Sequence, residues 1–420
     1  MQASRPIQAD CPVSVCMPSS TQYPSPPGDD YDAGAPLYDV SDFAAWMRAL
    51  YRRMPLEAGV CSLFESTIEE PVALLAEASR AVFETDEQDY FQSVFGRGNA
   101  RLIQAVARRY GVAADQVLTT TGAGNGVAQA LRAVIRPGDR VLLETPGFSV
   151  LEEIVRASGA AIDPLPRAAD AFGVTPADVR AALTPGVRAV VLSNLHNPSG
   201  RWLDDRELLD IARLLARDGI WLILDEVYAD FAREPAHRLA LAPNLVRVNS
   251  LTKVFGLFSL RCGWLIAEPA AVAAVTAANE AVEHGTSKLT HAVGAVVLER
   301  AEAFEAHWRS VLQANRPVLL RHAEAMQADG LIAGAVPEHG CIYFPRIIGV
   351  DDTLTLAETL WRRFGLVTAP GEFFGAPGHM RLGFGGDALT LGAGLARLHQ
   401  ALRDERAARD GSFAHGAPVN

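Results

Sequence analysis

The chain has 420 residues, a length that suits one large and one smaller domain rather than a single unit. Hydrophobic residues make up 49% and charged residues 21%, a globular balance. The formal net charge of −11 argues against a nucleic-acid or membrane-surface binder, since both need a basic face.

Residues 1–36 are rich in Pro, Ser, Gly and Asp and predict an extended or disordered arm. The first twenty residues are broken by prolines and hold no apolar run, so no signal peptide is expected. No stretch approaches the length of a membrane span. Five cysteines, Cys11, Cys16, Cys61, Cys262 and Cys341, are odd in number and scattered. They suit reduced thiols in a cytoplasmic setting. Histidines are dispersed, with no His-Glu-x-x-His and no Cys/His cluster, so no metal site is expected.

Residues 37–75 are expected to pack with a smaller C-terminal domain, and 76–300 to form the large one. Within the latter, the runs at 117–121, 140–144, 188–194, 220–226 and 245–250 read as strands, and Gly263 opens another. Helical segments follow the first three. The apolar runs are continuous rather than alternating, as in strands buried on both faces of a parallel sheet. The fold class is therefore α/β, a three-layer α/β/α sandwich with a mostly parallel central sheet. Such sheets bind ligands at the carboxyl ends of their strands. Residues 290–330 carry a long helical pattern that Pro317 is expected to kink or divide. Residues 301–406 predict the smaller α+β domain, and 407–420 a loose tail.

Four segments sit at those strand ends. Thr121-Gly-Ala123-Gly124-Asn125-Gly126 joins a strand to a helix, where backbone N–H groups make a ready phosphate site. It is not a dinucleotide fingerprint, because Val127 stands where the third glycine belongs. Asn197-Pro-Ser-Gly is strong turn chemistry whose place after a buried strand also suits a ligand contact. Asp225-Glu-Val-Tyr228 ends an apolar strand. A carboxylate there needs a positive partner, such as a pyridinium nitrogen, or else serves as a helix cap. Ser250-Leu-Thr-Lys253 puts a lysine just past a strand, with Arg261 eight residues on. Desolvation would free such an amine to attack an aldehyde, and Arg261 and Ser250 offer what a phosphate wants. Taken alone, such a lysine more often belongs to a surface loop. Phe148 could stack on an aromatic cofactor or belong to the core. Arg381 could grip a substrate carboxylate or sit on a surface strand.

In this order, and from about Gly98 to Arg381, the segments resemble the class I/II aminotransferase family, the pyridoxal-phosphate (PLP) enzymes of fold type I. The resemblance implies that Lys253 carries PLP as a Schiff base and shuttles the proton. It implies that Asp225 partners the pyridine nitrogen, that Asn197 and Tyr228 contact the ring oxygen, and that Phe148 stacks on the ring. Ala123, Gly124, Asn125, Ser250 and Arg261 become the phosphate cup, and Arg381 with Asn197 the substrate-binding pair. The implied reaction moves an amino group between an amino acid and a 2-oxo acid in a homodimer with shared active sites. A partner tyrosine often reaches the phosphate in this family. Here the corresponding segment, 89–98, has none at the usual offset, leaving Tyr90, Ser93 or Phe95. Residues 64–67 should line the substrate side, where Glu65 is unusual for the family. The same residues would also serve β- or γ-elimination, racemisation or a capreomycidine-synthase-like cyclisation. A non-enzymatic regulator would need a DNA-binding domain, for which the arm is too short and acidic.

Overall fold

The computed structural model describes residues 36–39, 42–53, 59–84, 98–168, 171–232, 241–283 and 285–414. Residues 1–35 of the expected arm and the candidates Tyr90, Ser93 and Phe95 lie outside these residues. The strands are β1 (Cys61–Ser62), β2 (Val117–Thr120), β3 (Arg140–Thr145), β4 (Ala161–Pro166), β5 (Val187–Ser193), β6 (Trp221–Asp225), β7 (Leu245–Ser250), β8 (Gly263–Ile266), β9 (Ile332–Ala333), β10 (Ile342–Tyr343), β11 (Arg346–Ile347), β12 (Leu366–Val367), β13 (Ala369–Pro370) and β14 (Met380–Gly383). The helices are α1 (Phe43–Arg53), α2 (Val72–Phe83), α3 (Ala100–Tyr110), α4 (Ala123–Val134), α5 (Ser149–Ala157), α6 (Pro176–Ala182), α7 (Asp205–Ala216), α8 (Pro269–Asn279), α9 (Lys288–Glu299), α10 (Ala301–Ala328), α11 (Thr353–Phe364) and α12 (Ala388–Ala414).

The apolar runs become one seven-stranded sheet in the order β2-β8-β7-β6-β5-β3-β4. Only β8 runs against its neighbours; β4, β3, β5, β6 and β7 pair in parallel. Alternate residues feed two separate cores. Val141, Leu143, Val191 and Ile223 meet α3, α4, α8 and α9 on one face. Leu142, Leu192, Leu222 and Leu224 meet α6 and α7 on the other. Both faces being covered, the strands need no polar alternation, and the α/β reading of the sequence holds.

β4 was not expected. Pro164 and Pro166 interrupt its pattern, but it lies at the sheet's edge, where a missing backbone donor is tolerated. Nor does Pro317 divide the long helical stretch. The break falls at Arg300, and Pro317 lies inside α10. One lost backbone hydrogen bond does not end a 28-residue helix whose Leu319, Ala323 and Met326 are buried against other elements. α12 continues to Ala414, into the stretch read as tail from 407.

A second core joins α10, α11 and α12 to Tyr343, Met380 and Leu382. There β14 lies between β10 and β13, antiparallel to both. No helix among the described residues is long and apolar enough to cross a membrane.

One extended segment stitches this second core to the large sheet. β1 pairs with β12, and Leu63 N donates to Val367 O at 2.9 Å. The Leu63 carbonyl accepts from Gly383 N at 2.6 Å, and Glu69 N donates to Gly385 O at 2.8 Å. On the other side, Ile68 N donates to Lys253 O at 3.1 Å. The approach to β14 is so close that a Cβ on Gly383 would sit 1.5 Å from the Glu65 carbonyl oxygen. Gly383→Ala should therefore displace the segment and lower the unfolding free energy by about 1–3 kcal/mol. A denaturation midpoint equal to the parent's would contradict this packing.

Candidate active site

Three parallel strand ends set the floor of the site. Ser193 of β5 pairs with Asp225 of β6, and Asp225 pairs with Val248 of β7. The loops leaving those ends start side by side, so Asn197, Asp225, Tyr228 and Lys253 converge.

Lys253 is half-buried, and its Nζ donates to Ser66 Oγ at 3.2 Å. The same Nζ lies 5.8 Å from the centre of the Tyr228 ring. Burial lowers its pKa to about 8, and the charge of Arg381 pushes the same way, against the pull of Asp225. Asp225 is buried, and burial raises its pKa to about 6 although its Oδ1 accepts from Val227 N at 3.2 Å. The Tyr228 hydroxyl donates to the Ser66 carbonyl at 2.8 Å, and burial holds its pKa well above that of an ordinary tyrosine.

Arg381 is no surface arginine, being 1% exposed. Its Nη1 donates to Asn197 Oδ1 at 2.9 Å and its Nη2 to Phe64 O at 3.0 Å. The guanidinium carbon lies 4.8 Å from the Phe374 ring centre. Nε has no partner, and among the described residues no carboxylate pairs with the group. A buried cation in that state is costly, and an incoming anion would relieve it.

A second place suited to an anion lies at the start of α4. Its N-cap, Gly122, has φ +101° and caps with no side chain, so the first N–H groups at Ala123, Gly124 and Asn125 have no side-chain cap. Arg261 lies over this end: its Nη2 comes 2.9 Å from where a Gly122 Cβ would stand. Ser250 is buried nearby, its Oγ accepting from Thr252 N at 3.3 Å. The Asn125 side chain turns elsewhere. Its Nδ2 donates to Glu283 at 2.9 Å and its Oδ1 accepts from Gln129 at 2.7 Å, leaving its backbone for an anion.

A cavity of about 500 Å3 takes in Lys253, Arg381 and Phe148, together with Glu65 and Ser66. Phe148 presents its ring edge-on to Phe43 at 5.4 Å. Tyr228 and Asn197 connect to this cavity through Ser66 and Arg381. Sequence reasoning put residues 64–67 beside the substrate without singling out Ser66. It missed Glu144 and Arg167, a fully buried ion pair at 2.6 Å. Glu144 accepts from Ser193 N at 2.8 Å, and Ser193 Oγ accepts from Asn197 N at 3.1 Å, so the pair braces the Asn197 loop. No motif marks them: Glu144 sits inside an ordinary strand and Arg167 follows the unread β4.

An amine of lowered pKa, a buried acid of raised pKa, an aromatic face and two anion sites fit an aromatic aldehyde that carries a phosphate. The profile of the aminotransferase class I and II family matches residues 52–398. Capreomycidine synthase of Streptomyces vinaceus is 31% identical over 377 residues, 88% of this chain and 95% of that protein. An aspartate aminotransferase of Streptomyces avermitilis is 26% identical over 326 residues, 71% of this chain and 76% of that one. Among solved structures, the PLP-dependent cyclase OrfR, in complex with Au, superposes with a TM-score of 0.72 at 26% identity. That match covers 85% of this chain and 96% of the cyclase.

The lysine environment has a direct readout. In cofactor-free protein, labelling of Lys253 by an amine-reactive probe should rise through a midpoint near pH 8, against 10.5 for an ordinary lysine. Peptide mass spectrometry measures it, and a midpoint at 10 or above would refute the environment described.

Proposed function

The chain belongs to the class I and II aminotransferases, which are PLP-dependent enzymes, and from that premise we propose that it moves an amino group between an amino acid and a 2-oxo acid. Lys253 would anchor the cofactor. The start of α4, Ser250 and Arg261 would take its phosphate, Asp225 its ring nitrogen, Asn197 and Tyr228 its ring oxygen, and Phe148 its face. When bound, the cofactor supplies an aldehyde carbon that takes up the amino group and a ring that draws electrons from the substrate's Cα.

This chain's residues do the rest. Arg381 receives the substrate carboxylate and so fixes the direction of the Cα–H bond. The Lys253 amine removes that proton as a general base and delivers it again, a role that typically contributes ~10²–10⁴-fold. Ser66, held by its own contacts to Tyr228 and Lys253, keeps the amine in place. The observation that carries the reading is that the lowered-pKa amine and the unpaired guanidinium line one cavity.

A second reading has its own support. Cyclisation begins with the same proton removal, and both a 31% identical capreomycidine synthase and the cyclase structure favour it. The two readings part in a single-turnover test. Supplied with amino donor alone, a transaminase releases about one equivalent of 2-oxo acid per active site and stops. A cyclase releases none. Lys253→Ala should abolish this release, and a variant that releases it at the parent rate would rule out the role assigned to the lysine.

A further inference from the structure

The cavity that holds Lys253 and Arg381 is also lined by Glu65, Glu69, Glu70 and Asp387. Among the described residues, Lys253 and Arg381 are its only cationic lining residues, so four carboxylates face two cations. Asp387 is occupied, accepting from Thr390 N at 2.8 Å and from its hydroxyl at 2.9 Å. Glu70 accepts from the Ser259 hydroxyl at 2.6 Å. Among the described residues, none of Glu65, Glu69 and Glu70 forms an ion pair, and Glu65 stands near enough to Lys253 for their charges to couple.

An acidic lining alone would be a solvated rim. Here it shares its cavity with Arg381, whose buried Nε has no partner and is suited to receive a carboxylate. The backbone that carries Glu69 is also held in place. Glu69 N is bonded to Gly385 O, and a Cβ on Gly256 would lie 2.8 Å from the carbonyl oxygens of Ile68 and Glu69. Between the charges the lining is aromatic and apolar, with Met47, Tyr51, Phe64 and Phe258. A ligand that satisfies all three features has a carboxylate for Arg381, a methylene stem for the apolar wall and a second cation for the glutamates.

We infer that this site selects amino acids whose side chain ends in a cation, with Glu65, Glu69 and Glu70 as the specificity-determining residues. The inference rests on the reading of the cavity as an amino-acid site. A like-charged side chain is repelled there, and a neutral one of equal length gains only the apolar contact.

The test uses the cofactor-loaded enzyme with L-ornithine, L-lysine, L-arginine, L-norleucine and L-glutamate as donors and saturating pyruvate as acceptor. Two readouts are taken: KM for 2-oxo acid release, and the ligand-induced rise in Tm. The cationic donors should show a KM at least tenfold below that of norleucine, with glutamate weakest. The ratio should shrink as salt is raised, since the glutamates are reached by solvent. Glu65→Gln, Glu69→Gln and Glu70→Gln, made separately, should each reduce the ornithine-to-norleucine preference severalfold. That ratio is internal to each variant, so partial misfolding does not mimic the effect. Equal KM for ornithine and norleucine at low salt would overturn the cation pocket and leave amino transfer intact. Cationic amino acids that raise Tm without releasing oxo acid would do the reverse. Silence from every donor in both readouts would overturn both.

Discussion

The site depends on one extended segment, residues 63–69, that both halves of the cavity grip. Arg381 donates to the Phe64 carbonyl, Tyr228 to the Ser66 carbonyl and Lys253 to the Ser66 hydroxyl. The Thr67 hydroxyl returns a bond to Thr252 O at 2.7 Å. Three polar side chains from three different elements thus find partners on neighbouring residues of a strand-like stretch. Without it, the lysine would face water and the arginine would lose one of its two hydrogen-bonded partners. The amine would drift back toward ordinary basicity.

Burial pulls the lysine and the aspartate toward each other on the pH scale. Lys253 falls from 10.5 to about 8 and Asp225 rises from 3.8 to about 6. A depressed lysine costs folding free energy below its folded pKa, where it must carry a charge the interior disfavours. A raised carboxyl does so above its folded pKa, for the same reason. Both penalties are therefore present together between about pH 6 and pH 8. A ligand that meets both groups relieves them in that window, which couples cofactor occupancy to stability near neutrality.

What the sequence disclosed follows from how locally each feature is encoded. Asp225, Lys253 and Asn197 stand within a few residues of the ends of segments that read as strands, so position marked them. Ser66 lies in a segment without periodicity, and its role comes from residues 162 and 187 positions away. Glu144 and Arg167 meet across two strands, one of them unread. Pro317 was expected to kink or divide a helix; it does not divide α10, which runs through it because tertiary packing outweighs one missing bond. Arg381 was left open between grip and surface, and only the fold shows that its strand lies in the middle of three.

The edge strand β4 has a consequence for how the molecule behaves in a crowd. Ala161 N donates to Asp139 O and Arg167 N to Thr145 O, so the odd-numbered donors point into the sheet. By the two-residue period of a strand, the even-numbered ones point outward. Those positions are Ile162, Pro164 and Pro166, and two of the three have no N–H to offer. A stray chain trying to zip onto this rim meets a rail with most of its teeth missing. The prolines that hid the strand from sequence reading also guard that border of the sheet against aggregation.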